Sequence, residues 1–133
     1  MDIIKYIDPL GELERIYYIE PFEKELQSLF KKSITEYKTY QKYLLSCLNV
    51  LDKSEEHLKT KPFEHLVVDG YEMYRIKSKS KKKNIRVIYF YTYNDDIYLL
   101  CAFEEKNKSD YNNNIQKAKK RIKYINGGME HEK

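Results

Sequence analysis

IRVIYFYTYNDDIYLLCAFE, residues 85–104, decides the architecture. Two runs dense in Ile, Val, Tyr, Phe and Leu flank Asn94-Asp95, and they read as strands, Ile85 to Tyr93 and Ile97 to Glu104, joined by a tight hairpin. A two-residue turn at Asn94-Asp95 predicts that Phe90 faces Leu99 and that Ile88 faces Cys101. One face of the hairpin is then apolar, and the other presents Tyr89, Tyr91, Tyr93 and Tyr98. Immediately upstream, Tyr71 to Lys77 has the same character and adds a third antiparallel strand, with the Lys-rich stretch 78–84 as a looser loop. Opposed residues on neighbouring strands share a face, so Arg75 and Arg86 meet only if opposed numbers sum to an odd value. The loop leaves that register open.

Towards the N-terminus the apolar period changes to that of a helix. Ile34, Tyr37, Gln41, Leu44, Leu45, Leu48 and Leu51 line one side of a long helix, with Glu36, Lys38 and Lys42 on the wetter side. Phe22 to Lys32 reads as a shorter helix, and Pro21 before it stops a strand, Leu13 to Ile19. Beyond the hairpin, Asn112 to Tyr124 forms a basic helix ended by Gly127 and Gly128. The expected class is α+β: an antiparallel sheet packed by two N-terminal helices, with a short C-terminal helix, in the order β-α-α-β-β-β-α. Gly and Pro are scarce among the 133 residues and no repeat is visible. A single domain, 1–133, is expected, with 1–12 and 126–133 as candidate flexible ends.

Composition narrows the function. The apolar runs fall far short of the ~20 residues of a membrane helix, and the first ten residues carry Asp2, Lys5 and Asp8, so neither a membrane span nor an export signal is read. Cys47 and Cys101 are flanked by apolar residues and read as ordinary buried thiols of a cytoplasmic protein. His57, His65 and His131 are scattered, and no Gly-rich phosphate loop follows a strand. Metal, nucleotide and cofactor chemistry are therefore not expected. Serines lie mostly in charged loops, so no nucleophilic triad is read. Formal net charge is only +4, yet it is uneven: residues 77–86 hold six cations and no acid, and 117–123 hold five cations in seven. Such clusters suit a polyanion, a solvated surface being the plainer reading.

Arg75, Lys77, Arg86 and Lys106 stand at predicted strand ends among tyrosines, a grouping suited to phosphodiester chemistry. RNA supplies its own nucleophile, the 2′-hydroxyl; cleavage needs that group held in line, charge on the phosphorane neutralised and the leaving oxygen protonated. Arg and Lys can neutralise, and tyrosines can stack on unpaired bases or move a proton, although strands favour tyrosine for packing alone. Lys77, Lys81, Lys82, Lys83 and Lys108 are the candidate RNA-binding cations.

From Pro62 to Tyr124 the chain resembles the RelE superfamily of toxins, in particular its phage-derived HigB-like branch. The likeness rests on Leu66, Asp69-Gly70, Tyr74-Arg75-Ile76-Lys77, Arg86-Val87-Ile88-Tyr89-Phe90, Leu99-Leu100, Phe103, Lys106, and Ala118 with Arg121, in that order and spacing. It implies a RelE-like compact domain, a toxin of a toxin–antitoxin system, an endoribonuclease cleaving messenger RNA at the ribosome without a metal, and neutralisation by an antitoxin encoded alongside, expected to be of helix-turn-helix type. Carried over by position, Arg75, Arg86 and Lys106 would stabilise the transition state, Lys77 would position RNA, and Tyr111 is nearest to an assisting tyrosine. Met73 stands where the branch has Glu, and Glu105 takes the place of the first of paired lysines. Glu105 reads as a solvated strand-end acid, with a general-base role as the alternative. Two other functions share this shape: a non-catalytic RNA-binding module of a mobile element, and a protein-interaction domain whose basic groove accepts an acidic partner.

Overall fold

The computed structural model describes residues 1–78 and 83–131. Nine elements follow in chain order: β1 (Ile3–Lys5), β2 (Ile16–Ile19), α1 (Glu20–Ser28), α2 (Ile34–Lys53), β3 (Phe63–Val68), β4 (Tyr71–Lys77), β5 (Ile85–Tyr91), β6 (Ile97–Glu104) and α3 (Lys108–His131). They build one sheet in the order β1-β2-β6-β5-β4-β3. The class is α+β as expected, but the element order is not. Segment 1–12, expected to be a loose end, contributes β1, whose Ile3 pairs with Ile19. A further strand, β3, precedes β4 and pairs with it throughout, Phe63 against Ile76 to Val68 against Tyr71.

The sheet is also mixed rather than antiparallel, because β2 runs parallel to β6, Ile16 opposite Ile97. The last strand made is thus an inner one. This explains its sequence: every residue of β6 from Ile97 to Phe103 is buried, the pattern of a strand covered on both faces. Of the four hairpin tyrosines, Tyr89 is wholly buried, Tyr98 nearly so and Tyr91 partly, and Tyr93, in the turn, is open to solvent. The expected tyrosine-bearing outer face does not exist, since helices cover both sides. Tyr74, Tyr89 and Tyr91 pack on one another and on His57, which stacks 3.6 Å from Tyr91.

Pro21 occupies the first turn of α1, where its missing N–H costs nothing, so the strand ends and the helix begins without a linker. Ser33 caps α2 by accepting from the Glu36 N–H. Helix α2 buries Tyr40, Leu44, Cys47, Leu48 and Leu51 in the core, and Tyr43 Oη donates to the Lys77 carbonyl at 2.6 Å. Helix α3 presents Ile115, Ala118, Ile122 and Ile125 to the opposite face of the sheet, where Cys101 meets the Asn114 carbonyl. It is long, not short, and passes through Gly127 and Gly128 without breaking. Both cysteines are free and buried, and burial pushes the Cys101 thiol up to about 12.

The β5–β6 hairpin carries one irregularity. Ile88 faces Cys101 as predicted, but Tyr89 faces Leu99 and Phe90 faces Tyr98, so Leu100 is an extra residue in a bulge. Arg121 of α3 takes the Leu100 carbonyl at 2.7 Å and grips Glu25 of α1 with both terminal nitrogens. Glu25 in turn accepts from the Ala102 N–H, standing in for a strand neighbour where β2 has ended. One arginine thereby ties α1 and α3 to the edge of β6.

Candidate active site

Strand β4 meets β5 with Lys77 opposite Arg86 and Arg75 opposite Ile88. The opposed numbers sum to an odd value, so Arg75, Lys77 and Arg86 share a face of the sheet, the one α3 covers farther along. The same hairpin logic places Glu64 of β3 directly opposite Arg75. Glu105, one residue past β6, closes the group. Its Oε1 stands 3.2 Å from Arg75 Nη1 and 3.5 Å from Arg86 Nε. Arg75 Nε donates to Glu64 Oε2 at 2.6 Å, and Lys77 is paired with the other Glu64 oxygen. Tyr111, in the first turn of α3, lies with its ring 5.3 Å from the Arg75 guanidinium carbon, a cation–π arrangement.

Three cations and two carboxylates therefore sit at one end of the sheet. The Arg75 and Arg86 side chains are only 15% and 12% exposed, so their interactions are screened far less than those of surface pairs. Burial alone would raise the Glu64 carboxyl, but hydrogen bonds from Lys77 and Arg75 outweigh it and hold the group below its ordinary acidity range. Arg86 is less completely used. Its Nη1 reaches the Ile85 carbonyl at 3.3 Å, whereas Nε is buried and makes no hydrogen bond, its 3.5 Å contact to Glu105 being an ion pair only. A buried guanidinium with an N–H that makes no hydrogen bond is ready to donate to an anionic oxygen.

Of the expected catalytic residues, the fold brings Arg75, Arg86 and Tyr111 together and leaves Lys106 outside. The Lys106 side chain is 71% exposed, and its nearest carboxylate is Glu104 at 3.9 Å. The reason is parity: Glu105 follows Phe103 to the arginine face, so its neighbour projects with Glu104. Among the expected RNA-binding residues, Lys77 joins the cluster. Lys83 is instead drawn back to the α1–α2 corner, where its amine donates to the Leu29 carbonyl at 2.9 Å and sits over the Phe30 ring. Lys108 is exposed at the start of α3. Lys81 and Lys82 lie outside the described residues. One participant has no place in the sequence reading, Glu64, which is legible once Asp69-Gly70 is taken as a two-residue turn; Glu105, expected as a solvated strand-end acid, instead sits between the two arginines.

Among the described residues, no group of three or more His, Cys, Asp or Glu side chains could hold a metal ion, and no helix is long and apolar enough to cross a membrane. Over residues 36–123, which contain all but the first two residues of α2, β3 to β6 and most of α3, the chain matches the family described as Phage derived protein Gp49-like (DUF891). No curated protein and no solved structure matches it.

Proposed function

Because the chain belongs to the Gp49-like family of phage-derived proteins, itself within the RelE/HigB-like toxin–antitoxin family, we propose that it is the toxin of such a pair and an endoribonuclease. Its place in the HigB-like branch, messenger RNA on the ribosome as substrate, the cytoplasm as site of action and a helix-turn-helix antitoxin as partner are parts of this proposal. One observation carries it: the sheet register sets Arg75 and Arg86 on one face within reach of a single carboxylate oxygen, with a buried Arg86 Nε that makes no hydrogen bond.

A scissile phosphate entering beside Glu105 would meet two guanidiniums, each offering planar paired donors suited to phosphate oxygens. These donors are held before reaction by Glu64 and the strand backbones, so their orientation costs little when charge builds on the phosphorane. Tyr111, whose ring lies against Arg75, would give a proton to the departing 5′-oxygen. Lys77 and the exposed Lys108 would hold the flanking phosphates. The 2′-oxygen bonds to phosphorus, the bond to the 5′-oxygen breaks, and the product is a 2′,3′-cyclic phosphate.

The test is end-group analysis of a synthetic message translated by purified ribosomes with the purified protein. Internal cuts ending in 2′,3′-cyclic phosphate and 5′-hydroxyl are expected; 5′-phosphate ends would indicate water as the nucleophile and defeat the mechanism. The three cations are matched by two carboxylates, which favours the non-catalytic reading to a degree. Retention of RNA with no cutting would establish that reading instead.

A further inference from the structure

A site built for attack by the 2′-hydroxyl needs a group that removes its proton, and the side chains gathered here narrow the choice. Guanidiniums cannot accept a proton, which excludes Arg75 and Arg86. Lys77 is an ammonium held by Glu64 and has no lone pair to offer. With Tyr111 assigned to the departing 5′-oxygen, two carboxylates remain. Glu64 receives a 2.6 Å hydrogen bond from Arg75 and is also paired with Lys77, so both of its oxygens are committed. Both contacts stabilise its anion, and the resulting rise in acidity makes it a poor base. Glu105 differs: both of its arginine contacts fall on the same oxygen, Oε1, at 3.2 and 3.5 Å, longer than charge-assisted bonds usually run. Its side chain is 28% exposed, open enough for substrate to reach.

Resting on the nuclease reading above, we propose that Glu105 is the proton acceptor of the reaction. Its free oxygen takes the 2′-hydroxyl proton as the 2′-oxygen bonds to phosphorus. The electron pair of the breaking bond leaves with the 5′-oxygen, which is protonated by Tyr111, and Glu105 and Tyr111 exchange protons with solvent afterwards. Phosphate binding would draw both guanidiniums onto its own oxygens and release Oε1, so the carboxylate that balances the arginines at rest becomes the base at work. The charged and titratable groups facing Glu105 come from four elements: Glu64 from β3, Arg75 and Lys77 from β4, Arg86 from β5 and Tyr111 from α3.

The experiment compares wild-type protein, Glu105→Gln and Glu105→Asp on the same ribosome-bound synthetic message. Single-turnover cleavage is followed across pH, and binding is followed on a message carrying 2′-deoxynucleotides that cannot be cut. Glu105→Gln is expected to lose about 10²-fold or more in the saturated cleavage rate, with the acidic limb of the pH profile gone and binding unweakened. Glu105→Asp should recover part of the rate and restore the limb. Wild-type or faster cleavage by Glu105→Gln would show a carboxylate that merely competes with phosphate, and a defect confined to binding would show one that only positions the arginines. Either result overturns this assignment while leaving the nuclease standing; a wild-type protein that cuts nothing removes the nuclease reading and this one with it.

Discussion

Arg86 and Arg75 stand side by side yet should fail differently when removed. Arg86 makes one long bond to the Ile85 carbonyl and leaves Nε unbonded, so Arg86→Ala is expected to reduce cleavage about 10²-fold or more with little change in thermal midpoint. Arg75 holds Glu64 and Glu105 together, so Arg75→Ala should lose activity and also lower the denaturant midpoint measurably, two half-buried carboxylates being left without their shared partner. Glu64 makes a pH prediction. Its folded pKa lies below the ordinary value of 4.5, so its pairing stabilises the fold above that pH and is lost as pH falls through the depressed value. Chemical denaturation from pH 6 downward should show stability declining below about 4.5, and Glu64→Gln should flatten that decline.

Helix ends and turns carry much of the information that positions the site. Arg15, just before β2, donates to the Leu51, Asp52 and Ser54 carbonyls at the C-terminus of α2 and to Asp95 in the β5–β6 turn, while Asp52 accepts the Glu14 and Arg15 N–H groups. Arg15→Ala strips the final turn of α2 of its cap, and a loss of about 2 kcal/mol in unfolding free energy is expected, with faster amide exchange in residues 49–54. The strands β4 and β6 are legible to the residue, and the helix α2 in its apolar stripe, because each is a strong, uninterrupted pattern. β1 was not: three residues in a charged segment hold no periodicity, and their place depends on pairing with Ile19, a tertiary fact. β3 was missed although its signal is local. Asp69 and Gly70 both adopt positive φ, 51° and 83°, the two-residue turn that Asp-Gly favours, and counting back from it puts Glu64 opposite Arg75. The site was legible in its arginines, through residue type and strand position. Lys106 was not excluded by sequence because the side-chain parity beyond β6 depends on where the strand stops, and the Leu100 bulge, which shifts the hairpin by one residue, has no signature short of the fold.

At the scale of the whole molecule, the proposed function requires the cations of the arginine face to set the affinity for RNA. Three or four phosphate contacts by Arg75, Lys77, Arg86 and Lys108 predict that binding to an uncleavable message falls with a log–log salt slope of about −2 to −3, and each alanine substitution among them should make that slope shallower. A salt-independent affinity would place RNA elsewhere. The topology has a consequence for synthesis. β6 is made after every other strand and yet lies between β2 and β5, with residues 16–18 waiting on 97–99 for their parallel partner. Until that strand emerges, the nascent polypeptide holds two unconnected half-sheets whose apolar faces have nothing to close against, and contacts of such long sequence separation form late. Glu105 and Tyr111 lie later still in the chain. A chain abandoned mid-translation thus has neither its inner strand nor a complete set of these charged groups.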